Sequence, residues 1–149
     1  MSDTIDYRMD KASEAEIVAH LEECNADFMP RLSDRVEIHD YAKKIAGNAA
    51  RFEAWSGQKL VGLIAAYCND QEQRTAHITS VSVLRAWTGK GIAAHLLAQC
   101  VEHAKVSRMQ QITLDVAQVN TSAIKLYEKS GFTVSKVGGS FVDMNLDLK

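Results

Sequence analysis

The segment Val81-Ser82-Val83-Leu84-Arg85-Ala86-Trp87-Thr88-Gly89-Lys90-Gly91-Ile92-Ala93 constrains this chain more than any other. A strand ends, a turn follows, and closely spaced glycines open a helix. Glycine lets main chain approach an anion with no side chain between, and the unpaired amides of a helix N-terminus favour negative charge. The combination suits a pyrophosphate; it serves equally a tight strand-to-helix turn whose glycines are there for shape alone. A Walker A loop needs four residues between its first glycine and Gly-Lys-Ser/Thr, which Gly89-Lys90-Gly91 does not supply. A dinucleotide fingerprint fits Gly89-x-Gly91-x-x-Ala94 loosely, with Asp115 as a ribose partner. Against it, Gly89 stands well past the strand end, Asp115 falls inside a strand, and the chain after residue 78 is too short for a doubly wound sheet.

Ahead of this segment, Ile5, Tyr7 and Met9 alternate with polar residues, the period of a half-buried strand. Ser13-Glu14-Ala15-Glu16 is a capping box, so a helix starts there, and Ile17, Val18, Leu21 and Cys24 recur at helical spacing. The only proline lies in Asp27-Phe28-Met29-Pro30-Arg31-Leu32-Ser33. It breaks the pattern into a loop that exposes Phe28 and Met29, and Ser33 is placed to cap a second helix through roughly Ala46. Residues 51–55 and 59–67 read as strands joined at Ser56-Gly57-Gln58, a hairpin turn, and a fourth strand follows over about 76–84.

Beyond the glycine turn come a helix to about Arg108, a strand over 112–117, and a helix over 121–130 ended by Gly131 as a left-handed cap. Strands over 132–137 and 141–148, joined at Gly138-Gly139-Ser140, close the chain. A helix crossing between two strands makes them parallel neighbours, so the order describes a mixed α/β domain.

The 149 residues are 46% hydrophobic and 24% charged, which predicts a single domain over 1–149, able to bury about two-thirds of its unfolded surface. Cys24, Cys68 and Cys100 are odd in number and lack a C-x-x-C pair, against a disulfide framework or a zinc site, and no metal is expected. The start, Met1-Ser2-Asp3-Thr4-Ile5-Asp6, lacks the basic and apolar stretches of a signal peptide, and no run is long enough to span a bilayer. A cytoplasmic protein without membrane contact is expected. Net charge is -2 with both signs scattered, leaving no basic footprint for nucleic acid, so any anion must be held locally.

Two motifs together resemble the GNAT superfamily of N-acetyltransferases, over about residues 60–134 and, in element order, nearly the whole chain. The first, Thr88-Gly89-Lys90-Gly91-Ile92-Ala93, looks like the family's Arg/Gln-x-x-Gly-x-Gly/Ala loop, with Thr88 in place of Arg or Gln. The second, Asn120-Thr121-Ser122-Ala123-Ile124-Lys125-Leu126-Tyr127-Glu128-Lys129-Ser130-Gly131-Phe132, is similar to its Asn-x-x-Ala-x-x-x-Tyr-x-x-x-Gly-Phe signature. The resemblance implies an α/β fold with a mostly antiparallel six- to seven-stranded sheet, a central parallel pair and helices on both faces. It implies acetyl-CoA as cofactor, with the pyrophosphate on the amides of Thr88, Gly89, Lys90, Gly91, Ile92 and Ala93. The pantetheine arm would pair with main-chain groups of Val81, Ser82 and Val83 and with Asn120 beside Ala123, and the Tyr127 hydroxyl would meet the thioester sulfur.

Acetyl transfer to an amine needs a base, an oxyanion donor and a proton for the thiolate. Tyr127, protonated at neutral pH, suits the last; read without the family, it is an amphipathic core residue on a face with Ala123 and Leu126. A backbone amide in the Val81–Val83 stretch, freed by local bending, is the oxyanion donor expected. Relatives often carry a Glu on the fourth strand, where this chain reads His77-Ile78-Thr79-Ser80-Val81-Ser82. His77, or water held by Ser80 and Ser82, is left as base; a lone His at a strand start is also simply exposed. For a small-molecule amine acceptor, Phe28, Pro30 and Leu32 are expected to wall the site and Arg31 and Arg35 to meet a phosphate or carboxylate, or else to be solvated on a mobile loop. The Phe-x-Pro-x-Leu-Ser-x-Arg stretch resembles a GNAT group that modifies amino sugars. A protein N-terminus, a lysine, a polyamine and a non-catalytic acyl-CoA sensor are the alternatives, with the chain a monomer or homodimer.

Overall fold

The computed structural model describes residues 4–148; Met1 to Asp3, where no signal peptide is expected from the sequence, and Lys149 lie outside the described residues. One seven-stranded sheet carries the chain, in the order β1-β2-β3-β4-β5-β7-β6. Its strands are β1 (Asp6–Met9), β2 (Ala50–Ser56), β3 (Lys59–Tyr67), β4 (Thr75–Val83), β5 (Gln111–Ala117), β6 (Thr133–Gly138) and β7 (Phe141–Asp147). All pairs are antiparallel except β4 with β5. That pair flanks the crossover helix α3 (Ile92–Val106), as the order of elements predicts.

Helices α1 (Glu14–Cys24) and α2 (Ile38–Asn48) enclose a core of Ile17, Leu21, Ile45, Trp55 and Leu63 on one face. Helix α3 and α4 (Thr121–Lys129) enclose the other, around Ile64, Leu96, Ile112 and Phe132. Strand β3 supplies both cores, Leu60 and Leu63 to one and Val61 and Ile64 to the other, because the bulge at Val61, opposite Ala54 and Trp55, resets the alternation between them. Gly62 lets α3 lie close to the sheet: a Cβ there would meet Ile92 Cγ2 at 2.9 Å. The start of α3 is thereby fixed against β3 and β4.

The capping box of α1 forms as read, the Ser13 hydroxyl accepting from the Glu16 amide at 3.1 Å and the Glu16 carboxylate from the Ser13 amide at 2.8 Å. Replacing Ser13 with Ala costs about 1 kcal/mol, seen as a lower urea midpoint at unchanged m-value. Helix α2 begins elsewhere than expected. Glu37, not Ser33, caps it, taking the amides of His39 and Asp40, while Ser33 bonds the Asn25 side chain between two short 3-10 turns. Those turns draw the connection inward, so Phe28 is half-buried against both cores and only Met29 is exposed, at 47%. All three cysteines are free.

Candidate active site

Strands β4 and β5 pair only from Thr75↔Gln111 to His77↔Thr113, although both continue, to Val83 and Ala117. Beyond His77 they part, and the gap between them is the centre of the site. A β-bulge on β4 marks the divergence: Ser80 faces Ala65 and Ile78 faces Ala66, leaving Thr79 as the extra residue. Tyr41 of α2 holds it, its hydroxyl donating to the Thr79 carbonyl at 2.7 Å. The bending expected within Val81–Val83 thus occurs at Thr79, just before that stretch.

Leu84 N–H donates to Val61 C=O at 2.9 Å, which sets the phase of β4. Alternation gives the main-chain groups of Ser82 to Leu63 and turns those of Val81 and Val83 away from β3, into the gap. Of the three residues expected to offer main-chain groups, two face the opening.

At the far end of the gap, α3 starts at Gly91, a left-handed N-cap with φ +80° and no side-chain capping bond. From Gly89 onward, the first amide bonded to a main-chain carbonyl is that of His95, to Gly91. Thr88 N–H is taken by Arg85 C=O at 3.3 Å, so the cradle starts one residue later than expected, and the amides of Gly89, Lys90, Gly91, Ile92 and Ala93 have no main-chain partner. The Thr88 hydroxyl folds back onto the same Arg85 carbonyl at 2.8 Å. A cavity of about 420 Å³ runs from Gly89 and Ala93 along Val83, Ser82 and Val81 to Asn120 and Ala123.

Asn120 caps α4, its Oδ1 accepting from the Ala123 amide at 3.3 Å, which leaves its Nδ2 for a ligand. One turn on, Tyr127 is 6% exposed, beside Phe132 and on the wall of a smaller cavity of about 120 Å³ shared with Asn120, Ser80, Phe28, Met29 and Arg35. Among the described residues its hydroxyl has no hydrogen-bond partner, and burial pushes its pKa up to about 12.

The other expected site residues divide. Phe28 and Arg35 line the small cavity, and Arg35 lies over the Phe141 ring at 5.6 Å. Leu32 lies instead in the α1–α2 core, Arg31 is turned to Asp34, and Pro30, after a cis Met29-Pro30 bond, stays exposed off the cavity wall. The Ser82 side chain points to α1, where its Oγ lies 2.8 Å from His20 Nε2. His20 Nδ1 donates to Leu60 C=O at 2.9 Å, so Nε2 accepts and the Ser82 hydroxyl donates; burial lowers the His20 pKa and keeps the ring neutral. Cys24, 3.7 Å from the same nitrogen, has its thiol pushed up to about 12 by burial, so it is no nucleophile. His77 is tied to Thr113 Oγ1 at 2.9 Å, at the closed end of the strand pair.

Sequence reading weighed Asp115 only as a ribose partner, not as a residue of the small cavity, and missed its neighbour Asp143, directly opposite on β7. The signal was there in the alternation of Thr113, Asp115 and Ala117 against Ile112, Leu114 and Val116, but it needed the β5–β7 register to bring the two carboxyls together.

The model of the acetyltransferase (GNAT) family matches residues 14–132. The N-acetylaspartate synthetase of Xenopus tropicalis is 33% identical over 100 residues, 67% of this chain; the chain spans 36% of that relative's length. A protein from Pyrococcus horikoshii OT3 superposes with a TM-score of 0.79 at 25% identity, covering 98% of this chain and 99% of its own. PaiA N-acetyltransferase from Thermoplasma acidophilum, solved with coenzyme A, superposes with a TM-score of 0.74 at 17% identity, over 97% and 99% of the two chains, a likeness of fold. With the parted strands, the free glycine-turn amides and a family match that spans both motifs, the chain belongs to the acetyltransferase (GNAT) family.

Proposed function

We propose that this chain, as one domain, transfers the acetyl group of acetyl-CoA to a primary amine on a small molecule. The observation that carries the reading is the run of main-chain amides from Gly89 to Ala93 with no main-chain acceptor among the described residues, beside a cavity of about 420 Å³ lined by Gly89 and Ala93. A diphosphate supplies the acceptors those amides lack. Val81 and Val83 then pair with the amide groups of the arm as a further strand would, and Asn120 Nδ2 donates to it. Acetyl-CoA supplies the activated carbonyl and a good leaving group.

The chain's own residues do the rest. A cleft-facing main-chain amide near the bulge, Val81 N–H in this register, stabilises the oxyanion, and Tyr127 protonates the departing sulfur. The Ser82 hydroxyl, committed to His20, holds β4 against α1 and does no chemistry itself. The small cavity, about 120 Å³ and walled by Phe28 and Met29, supports a small acceptor over a folded protein surface.

A thermal-shift series tests the cofactor. At about a hundred times its dissociation constant a ligand adds about 2.7 kcal/mol, so acetyl-CoA raises Tm by several degrees. NAD leaves Tm unchanged, and Gly91→Val, strained at its positive φ and bulky at the cradle, removes most of the acetyl-CoA shift. Equal stabilisation by NAD, or none by acetyl-CoA, refutes the reading.

A further inference from the structure

The cavity beside Tyr127 has an acidic wall that the transfer chemistry above leaves unused. Register sets Asp115 of β5 opposite Asp143 of β7, so their Cβ atoms lie about 5 Å apart on one face. Two basic side chains flank the pair: His77 from β4, bonded to Thr113, and Arg35 from the segment before α2, lying over Phe141. Asp27 and Tyr127 are the remaining titratable groups on the cavity. A second observation comes from the opposite strand: Ser80, 4% exposed, lines the same space, and its Oγ lies near the Tyr41 hydroxyl without a well-formed hydrogen bond among the described residues. A buried hydroxyl left unpaired costs free energy that a ligand can recover. A carboxyl on the cavity wall, Asp115, with a second behind it, Asp143, and the Ser80 hydroxyl oxygen opposite call for a compact group with several N–H donors, which an ammonium is.

We infer that Asp115, backed by Asp143, is the base that takes a proton from the acceptor's ammonium, with Ser80 Oγ accepting a second of its N–H groups. The inference rests on the proposed transfer to a primary amine. Asp115 takes one proton from R–NH3+, giving R–NH2 and a neutral carboxyl. The freed lone pair forms the C–N bond, the C–S bond breaks, Tyr127 protonates the sulfur, and the second proton leaving nitrogen restores the phenol. Asp115 releases its proton to water; ammonium and thioester have become amide, thiol and one proton. Hydrogen bonding to Asp143, then burial and the Asp143 charge, raise Asp115 above an ordinary carboxylate against the opposing pull of His77 and Arg35, which makes it the stronger base.

The test compares Asp115→Asn with wild type on two acceptors at pH 7, reading thiol release from acetyl-CoA: propylamine, which is protonated, and hydroxylamine, which is neutral. For propylamine kcat falls about a hundredfold. The loss for hydroxylamine is at least tenfold smaller, and the acetyl-CoA dissociation constant stays within about threefold. Equal losses on both amines, or none on propylamine, overturn the assignment. Carbon-13 carboxyl resonances, followed without cofactor, give a readout independent of turnover. Saturable shifts of Asp115 and Asp143 on adding propylammonium support the site, and stationary resonances overturn it. Should wild type release thiol with neither amine, the small-amine reading fails while these resonances still decide the ammonium site.

Discussion

Replacing Tyr127 with Phe lowers kcat at least a hundredfold at pH 7 and leaves the acetyl-CoA dissociation constant within about threefold. The substitution removes one oxygen from a side chain that is 6% exposed and packed against Phe132, so the wall of the cavity keeps its shape. The hydroxyl has no hydrogen-bond partner among the described residues, so little else depends on it. The same burial fixes the pH profile. With its pKa pushed to about 12, the phenol stays protonated through pH 10, and the alkaline loss of activity from this group appears only as pH rises toward 12. A free phenol would titrate near pH 10. An alkaline limb centred near 10 that vanishes in Tyr127→Phe assigns Tyr127 an ordinary exposed phenol and contradicts the buried geometry. Unchanged kcat in the variant removes Tyr127 from the mechanism.

Local signals carried most of the fold. The Ser13–Glu16 box, the Gly57 hairpin and the glycine turn before α3 are decided within a few residues, and each stands where the sequence puts it. Ser33 failed as a cap because Asn25, distant by eight residues, competes for both its amide and its hydroxyl. The site was legible where one element supplies it: Asn120, Ala123 and Tyr127 fall on one helix. It was illegible where strands from distant parts of the chain meet. The Thr79 bulge depends on Tyr41, and the Asp115–Asp143 pair on a register between β5 and β7. The commitment of Ser82 to His20 spans 62 positions of sequence, and no pattern within β4 announces it.

The largest expected loss of stability lies away from the cavities, at Glu53. This carboxylate is 0% exposed and has only donors around it: the amides of Lys11 and Ala12, Trp55 Nε1 at 3.0 Å, and Arg51 Nε at 3.4 Å. Arg51 in turn donates to the carbonyls of Ala46 and Ala12, so the pair ties the approach to α1, the end of α2 and β2 into one buried network. Glu53→Ala leaves an indole N–H and two amides without their acceptor and the buried guanidinium without its counter-charge. Removing one partner of a buried ion pair costs about 3–5 kcal/mol, which for a chain of this size lowers Tm by roughly 10 °C. Glu53→Gln fills the same volume, yet its amide NH2 must face a donor, so it recovers less than half of the loss. A Gln variant as stable as wild type shows that shape, not charge, holds these elements together. Because the network lies apart from both cavities, the folded Glu53→Gln protein, assayed well below its own Tm, keeps the acetyl-CoA affinity of wild type. A large loss of affinity at that temperature means that the placement of α1 and α2 reaches the cleft through Tyr41 and the Thr79 bulge.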